Sequence, residues 1–231
     1  MLGLCLSALV VVLLVSAFGA GSPAASTQVA PTAGTRVLAG RPKPQFVAST
    51  GPLHVYVPVA QNVLTAVGYH AGRDGALDLQ PVGRQGNEGL LSRLWHRIVG
   101  SSKNDLVWYQ LGGSSGPSTS ALDVGAPAGT DVYAPVDGTV VAISDFVLAN
   151  RVYGARIDVR PSSAPSLVVS LTQVRPDPAL VVGSMVAAGT SKLGTIVDLS
   201  GIERQALARY TQDAGNNVSL EVHRAATASL P

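Results

Sequence analysis

Four histidines, His54, His70, His96 and His223, and a scatter of carboxylates are the side chains here that could move protons or hold a metal. A catalytic zinc needs three protein donors and one position left open for water. No His-x-x-x-His, Cys-x-x-Cys or Gly-x-Ser-x-Gly spacing occurs, so no single motif supplies such a site. The tightest pairing is Glu221 with His223. They stand two residues apart in the alternating segment Val218 to His223, and so share a strand face with Ser219. With Asp123 brought in from elsewhere, Asp123, Glu221 and His223 would form a displaced metal site; by themselves Glu221 and His223 read as an exposed strand-end pair. His96 follows Trp95 on an apolar-periodic segment and reads as a packing residue. Asp198, Glu203 and Asp213 read as solvated loop or helix charges, and Asn217-Val218-Ser219 as a chance match to a glycosylation sequon. Cys5 is the only cysteine, which excludes an intramolecular disulfide.

Composition bounds what these residues can belong to. The chain has 231 residues, of which 13% are charged and 46% hydrophobic, and that balance excludes a disordered chain. Twenty-five glycines and fifteen prolines point to turns and short strands rather than a helical bundle. The formal charge of +2 is spread along the chain, so no basic footprint for nucleic acid is present. Residues 2–20 form an uncharged apolar run of signal-peptide or minimal membrane-anchor length, followed by small residues at Ala20, Ser22 and Ala24. The division expected is a signal peptide or membrane anchor over 1–26, a flexible Ala/Pro/Thr/Gly linker over 27–46, an N-terminal β/helix extension over 47–104 and a β domain over 105–231. This arrangement places the protein outside the cell or at its surface, touching membrane only through residues 2–20 if they are retained.

Strand signals run from 53–59, with weaker ones at 65–69 and 76–79, and a buried strand at 106–111. Glu88 to Val99 has leucines at helical spacing and predicts a short amphipathic helix. From Asp123 onward short strands alternate with turns: 132–134, the Asp137-Gly138 turn, 139–143, 155–159, 167–171, 180–182, 186, 193–197 and 218–223, with a short helix over 202–210. The expected fold is mostly β, an antiparallel barrel-sandwich hybrid with one or two short helices behind an apolar N-terminal helix. Val132, Val140, Val141, Ile143, Ile157, Val159, Val168, Leu171, Val186, Ile196, Val218, Leu220 and Val222 are its expected core.

Residues 121–143, ALDVGAPAGTDVYAPVDGTVVAI, are similar to the opening of the M23 (lysostaphin/LytM-type) peptidase domain. VVSLTQVRPDPALVVGSMVAAGTSKLGTI resembles that family's Tyr-x-His-Leu and Val-x-x-Gly-x-x-Val-x-x-Gly segments, and NNVSLEV stands where the family carries His-Leu-His-Phe-Glu-Val. The likeness spans about residues 105–224 and, in the start Thr119 to Val124, resembles an exported, actinobacterial kind of M23-like protein. It implies the duplicated hybrid motif, and a site built from two histidines and an aspartate on zinc, with two further histidines acting on water and oxyanion. Carried over residue by residue, the aspartate ligand falls on Asp123, the histidine ligands on Thr119 and Ser219, and the catalytic histidines on Ser170 and Asn217. Hydroxyls and an amide are poor zinc donors. The expectation is therefore a groove of Thr119, Asp123, Ser170, Asn217 and Ser219 with no catalytic residue, no metal and no cofactor.

The resemblance leaves three function classes. The first is a non-catalytic surface domain binding peptidoglycan or a partner cell-wall hydrolase. The second is a zinc-dependent peptidoglycan endopeptidase with atypical ligands, and only this one requires zinc. The third is a structural barrel-sandwich module. A carrier domain would need a modifiable lysine at a hairpin tip, which Asp137-Gly138 lacks and Lys192 does not supply.

Overall fold

The computed structural model describes residues 45–87, 106–112 and 118–225. The apolar leader, most of the linker and the helix expected at 88–99, with Cys5 and His96, lie outside the described residues. Among the described residues fourteen strands are formed: β1 (Phe46–Thr50), β2 (Leu53–Tyr56), β3 (Ala66–His70), β4 (Gln80–Pro81), β5 (Arg84–Gln85), β6 (Val107–Gln110), β7 (Ala121–Gly125), β8 (Asp131–Tyr133), β9 (Gly138–Leu148), β10 (Arg151–Pro161), β11 (Leu167–Pro176), β12 (Met185–Val186), β13 (Lys192–Ile196) and β14 (Asn217–Arg224).

The large sheet has the order β12-β9-β10-β11-β14-β7-β3-β6-β5, with β13 joining β11 to β8; a small sheet has the order β2-β1-β4. From β12 to β3 every neighbouring pair is antiparallel. Beyond β3 the pairing turns parallel, β6 lying along both β3 and β5. The fold is therefore mostly β, as expected, but its sheets are mixed and do not close into a barrel. Long chain segments separate β6 from β3 and β5, and a parallel neighbour needs such a crossover. Residues 47–104 contribute β3 to the main sheet, directly against β7.

One face of the sheet is apolar. Leu122 and Val124 of β7, Ile157 and Val159 of β10, Val169 and Leu171 of β11, and Val218, Leu220 and Val222 of β14 all point into one core, joined by Val47, Leu53 and Val55 of the small sheet. Tyr69 of β3 is fully buried and donates its hydroxyl to the Val47 carbonyl at 2.6 Å, tying the two sheets together. The expected core residues are buried except Val141 and Ile143, which are half-buried. The register between β9 and β10 slips between Asp158 and Val159, leaving Val141 unpaired, and the slip breaks the simple alternation.

Three expected elements differ. Residues 76–79 form no strand; Ala76 makes an isolated bridge to His223. Residues 180–182 fall across two successive turns, closed by the Leu180 N–H on the Asp177 carbonyl and by the Ser184 N–H on the Val181 carbonyl. The helix expected at 202–210 shrinks to a 3₁₀ turn, Ala206–Arg209, that buries only Leu207 and has no side-chain cap at Gln205. A single buried side chain cannot hold a longer helix against the sheet.

Candidate functional site

The strands that bury one face in the core carry polar residues on the other. The register sets Gly68, Asp123, Ser219 and Thr172 in one row across β3, β7, β14 and β11. The next row holds His70, Ala121, Glu221, Ser170 and Asp158. Alternation thus brings together residues as far apart as Gly68 and Ser219 or His70 and Glu221, about 150 positions along the chain. Two clefts open on this face and share Ser219. The larger, about 500 Å³, is lined by Arg73, Ser144, Phe146, Arg156, Ser170 and Glu221 among others; the smaller, about 380 Å³, by His70, Asp123, Gln173, Arg204 and Gln205.

Of the residues expected in one groove, Asp123, Ser219 and Ser170 lie on this face, Asp123 directly opposite Ser219 in the ladder. Thr119 lines neither cleft; its hydroxyl donates to the Leu79 carbonyl at 2.7 Å. Asn217 is buried one row away, its amide donating to Gln205 Oε1 and the Gly215 carbonyl, both at 3.1 Å. The displaced set of Asp123, Glu221 and His223 does not assemble. Glu221 is taken up by His223 Nε2 at 2.9 Å and by the Arg73 backbone N–H and Nε at 3.0 and 2.8 Å. Among the described residues no group of three His, Cys, Asp or Glu side chains is placed to hold a metal ion. The pair read as exposed is also inside: His223 is 4% exposed.

His70, Arg73, Arg156 and Gln173 are the site residues that sequence reasoning missed. His70 ends β3 with Nε2 3.2 Å from Asp123 Oδ1 and Nδ1 2.8 Å from the Ala71 carbonyl. Both ring nitrogens thus face acceptors, the arrangement of an imidazolium rather than of a base with a free lone pair. The contact with Asp123 pushes the His70 pKa up to about 9 against the opposing effect of burial. At Glu221 burial disfavours the charge, but hydrogen bonds from His223 and from the backbone and side chain of Arg73 outweigh it and hold the carboxyl at about 2. Gln173 sits where β11 bulges against β10, with φ at +65°, an uncommon conformation for a residue with a Cβ. Its Oε1 and Asp123 Oδ1 are buried without an aligned hydrogen-bond donor.

The His70–Asp123 pair predicts a pH signature. Because folding raises the His70 pKa, its stabilisation is complete below about 6.5 and is lost as pH rises through about 9. His70 is partly open to solvent, so the effect on unfolding free energy is about 1 kcal/mol. An NMR titration of the His70 ring should show a midpoint near 9 that drops in Asp123→Asn; an unchanged midpoint in the variant would remove Asp123 as the cause.

No family model matches the chain, and no curated protein matches it. Among solved structures it is similar to a chain of the SpoIIQ–SpoIIIAH pore-forming complex, with a TM-score of 0.38 and 14% identity over 79% of this chain and 85% of that one. A likeness of that depth assigns neither a site nor an activity.

Proposed function

We propose that this chain is a non-catalytic M23-like domain with the hybrid fold of that family, acting at the cell surface or outside the cell, where its polar sheet face binds peptidoglycan or a partner cell-wall hydrolase. The observation that carries the reading is the state of Asp123. At the position matching the family's aspartate ligand, its neighbour across the ladder is a serine and its nearest charged group is His70. A carboxylate paired with an imidazolium is a poor cation site, and an imidazole facing acceptors through both nitrogens cannot take a proton from water. What the face offers is hydrogen bonding: the hydroxyls of Ser170, Thr172 and Ser219 and the guanidinium groups of Arg73 and Arg156.

The test is zinc content of the full-length chain together with incubation on purified cell-wall sacculi. The protein should sediment with sacculi, release no soluble wall peptide and carry no stoichiometric zinc, and Asp123→Ala should still fold. One tightly held zinc per chain, with wall cleavage abolished in Asp123→Ala, would establish an atypical endopeptidase instead.

A further inference from the structure

Two arginines in the larger cleft share one construction. Arg156 lies against Asp158, its Nε 2.8 Å from Oδ1, and one terminal nitrogen, Nη2, donates to Ser170 Oγ at 3.1 Å. Arg73 is anchored through Nε to Glu221 Oε2 at 2.8 Å, with its backbone N–H on Oε1. Both anchoring carboxylates are nearly buried, their side chains 7% and 12% exposed. In each case the carboxylate holds the inner edge of the guanidinium. Nη1 of Arg156 and both terminal nitrogens of Arg73 have no hydrogen-bond partner among the described residues, and both side chains line the cleft. Arg156, held at two nitrogens with 17% of its side chain exposed, is fixed in place, while Arg73 is held at Nε with half of its side chain open; each presents a planar set of donors, the geometry that takes a carboxylate.

The surrounding charge decides which anion fits. Asp158 and Glu221 offset the two arginines, and Asp145 stands on the cleft wall. The site therefore has no excess positive field, and a doubly charged phosphate would meet three carboxylates. A singly charged carboxylate exchanges its water for fixed N–H donors and hydroxyls at the least electrostatic cost. The hydroxyls of Ser170, Thr172 and Ser219 line the same cleft and can hydrogen-bond the amide groups that follow such a carboxylate.

We infer that the cleft between Arg73 and Arg156 is a carboxylate-binding site for an acylated amino-acid or peptide terminus, which the sheet face holds carboxylate-first with its amide groups along the hydroxyls of Ser170, Thr172 and Ser219. The inference rests on the binding function proposed above and specifies its ligand. Such a terminus could come from a wall peptide or from a protein partner, and configuration separates the two.

The experiment is an NMR titration of the ¹⁵N-labelled full-length chain, following the arginine Nε–H signals, with acetyl-D-Ala-D-Ala, acetyl-L-Ala-L-Ala, their C-terminal amides and inorganic phosphate. The free acids should shift the Arg73 and Arg156 signals, and the amides should bind about tenfold more weakly or not at all. Preference for the D acid assigns a wall source, and preference for the L acid a protein one; either supports the site. Arg156→Lys, which keeps the charge but loses the fork, should weaken the acids about tenfold with an otherwise unchanged amide spectrum. Equal binding of acid and amide, binding of phosphate in preference to both, or no shift with any acid at 10-millimolar order concentrations would overturn the inference. Sedimentation with sacculi could persist in each of those cases, so the two readings fail separately.

Discussion

Glu221→Ala is expected to destabilise the protein by about 2–4 kcal/mol at neutral pH, the range for removing one member of a buried charged network. The Glu221 carboxylate receives three donors, from His223 Nε2 and from the backbone and side chain of Arg73. Arg73 can swing into solvent when it is lost, but His223 has only 6% of its side chain exposed and must stay without that partner. The pH dependence follows from the sign of the shift. Folding lowers the carboxyl from 4.5 to about 2, so its charged stabilisation is present above 4.5 and fades as pH falls toward 2. Urea denaturation should therefore show the gap between wild type and variant narrowing between pH 5 and pH 2.5. A gap that does not change with pH would mean that the side chain acts through packing alone.

Gly138→Ala should cost about 3 kcal/mol or more, opposite in sign to the usual gain from replacing glycine by alanine in regular structure. A Cβ at this position would meet the Arg160 carbonyl oxygen at 2.2 Å and Pro161 Cα at 3.1 Å, and neither atom belongs to a flexible side chain. Gly138 pairs with Pro161 on one side and with Val186 on the other, so relief by movement would open β9 against both β10 and β12. Thermal unfolding with circular dichroism measures the loss. A melting temperature within two degrees or so of wild type would show that the backbone can separate there without penalty.

That glycine shows how far the sequence could be read. The Asp137-Gly138 signal predicts a turn, but the chain only bends over 135–137 and Gly138 is already the first residue of β9, held by contact with β10; contact across strands is not written in a local pattern. Most strands from 132 onward were legible because alternating apolar residues lie against a single core, whereas β7 drew no strand expectation. Val141 was misplaced because one register slip moves a side chain off its face. Asp123, Ser170 and Ser219 were found through the family likeness, while Thr119 and Asn217 turned out to be bound into local structure. His70 and Arg73 escaped because nothing in their own segment announces that β3 pairs with β7. Arg156 and Asp158 left a faint mark, the alternation Arg-Ile-Asp-Val-Arg over 156–160, which signals one charged face without saying what it faces. Gln173 left none, since its position depends on a bulge.

The order of the central strands governs how such a chain can reach its native state. β14, the last strand, lies between β7 and β11 and supplies the ladder to both. Its pairing with β7 closes a loop of nearly a hundred residues, and β7 in turn pairs with β3 some fifty residues earlier. Neither half of the sheet has both its neighbours until residue 224 is available, so native pairing must wait for synthesis of the whole segment. The entropy of closing these loops falls before the contacts that reward it, which makes assembly slow compared with a fold of sequential hairpins. A chain of this topology stays open to proteases for longer than its final stability would suggest, and truncation near residue 224 would leave two unpaired strand edges rather than a shorter version of the same domain.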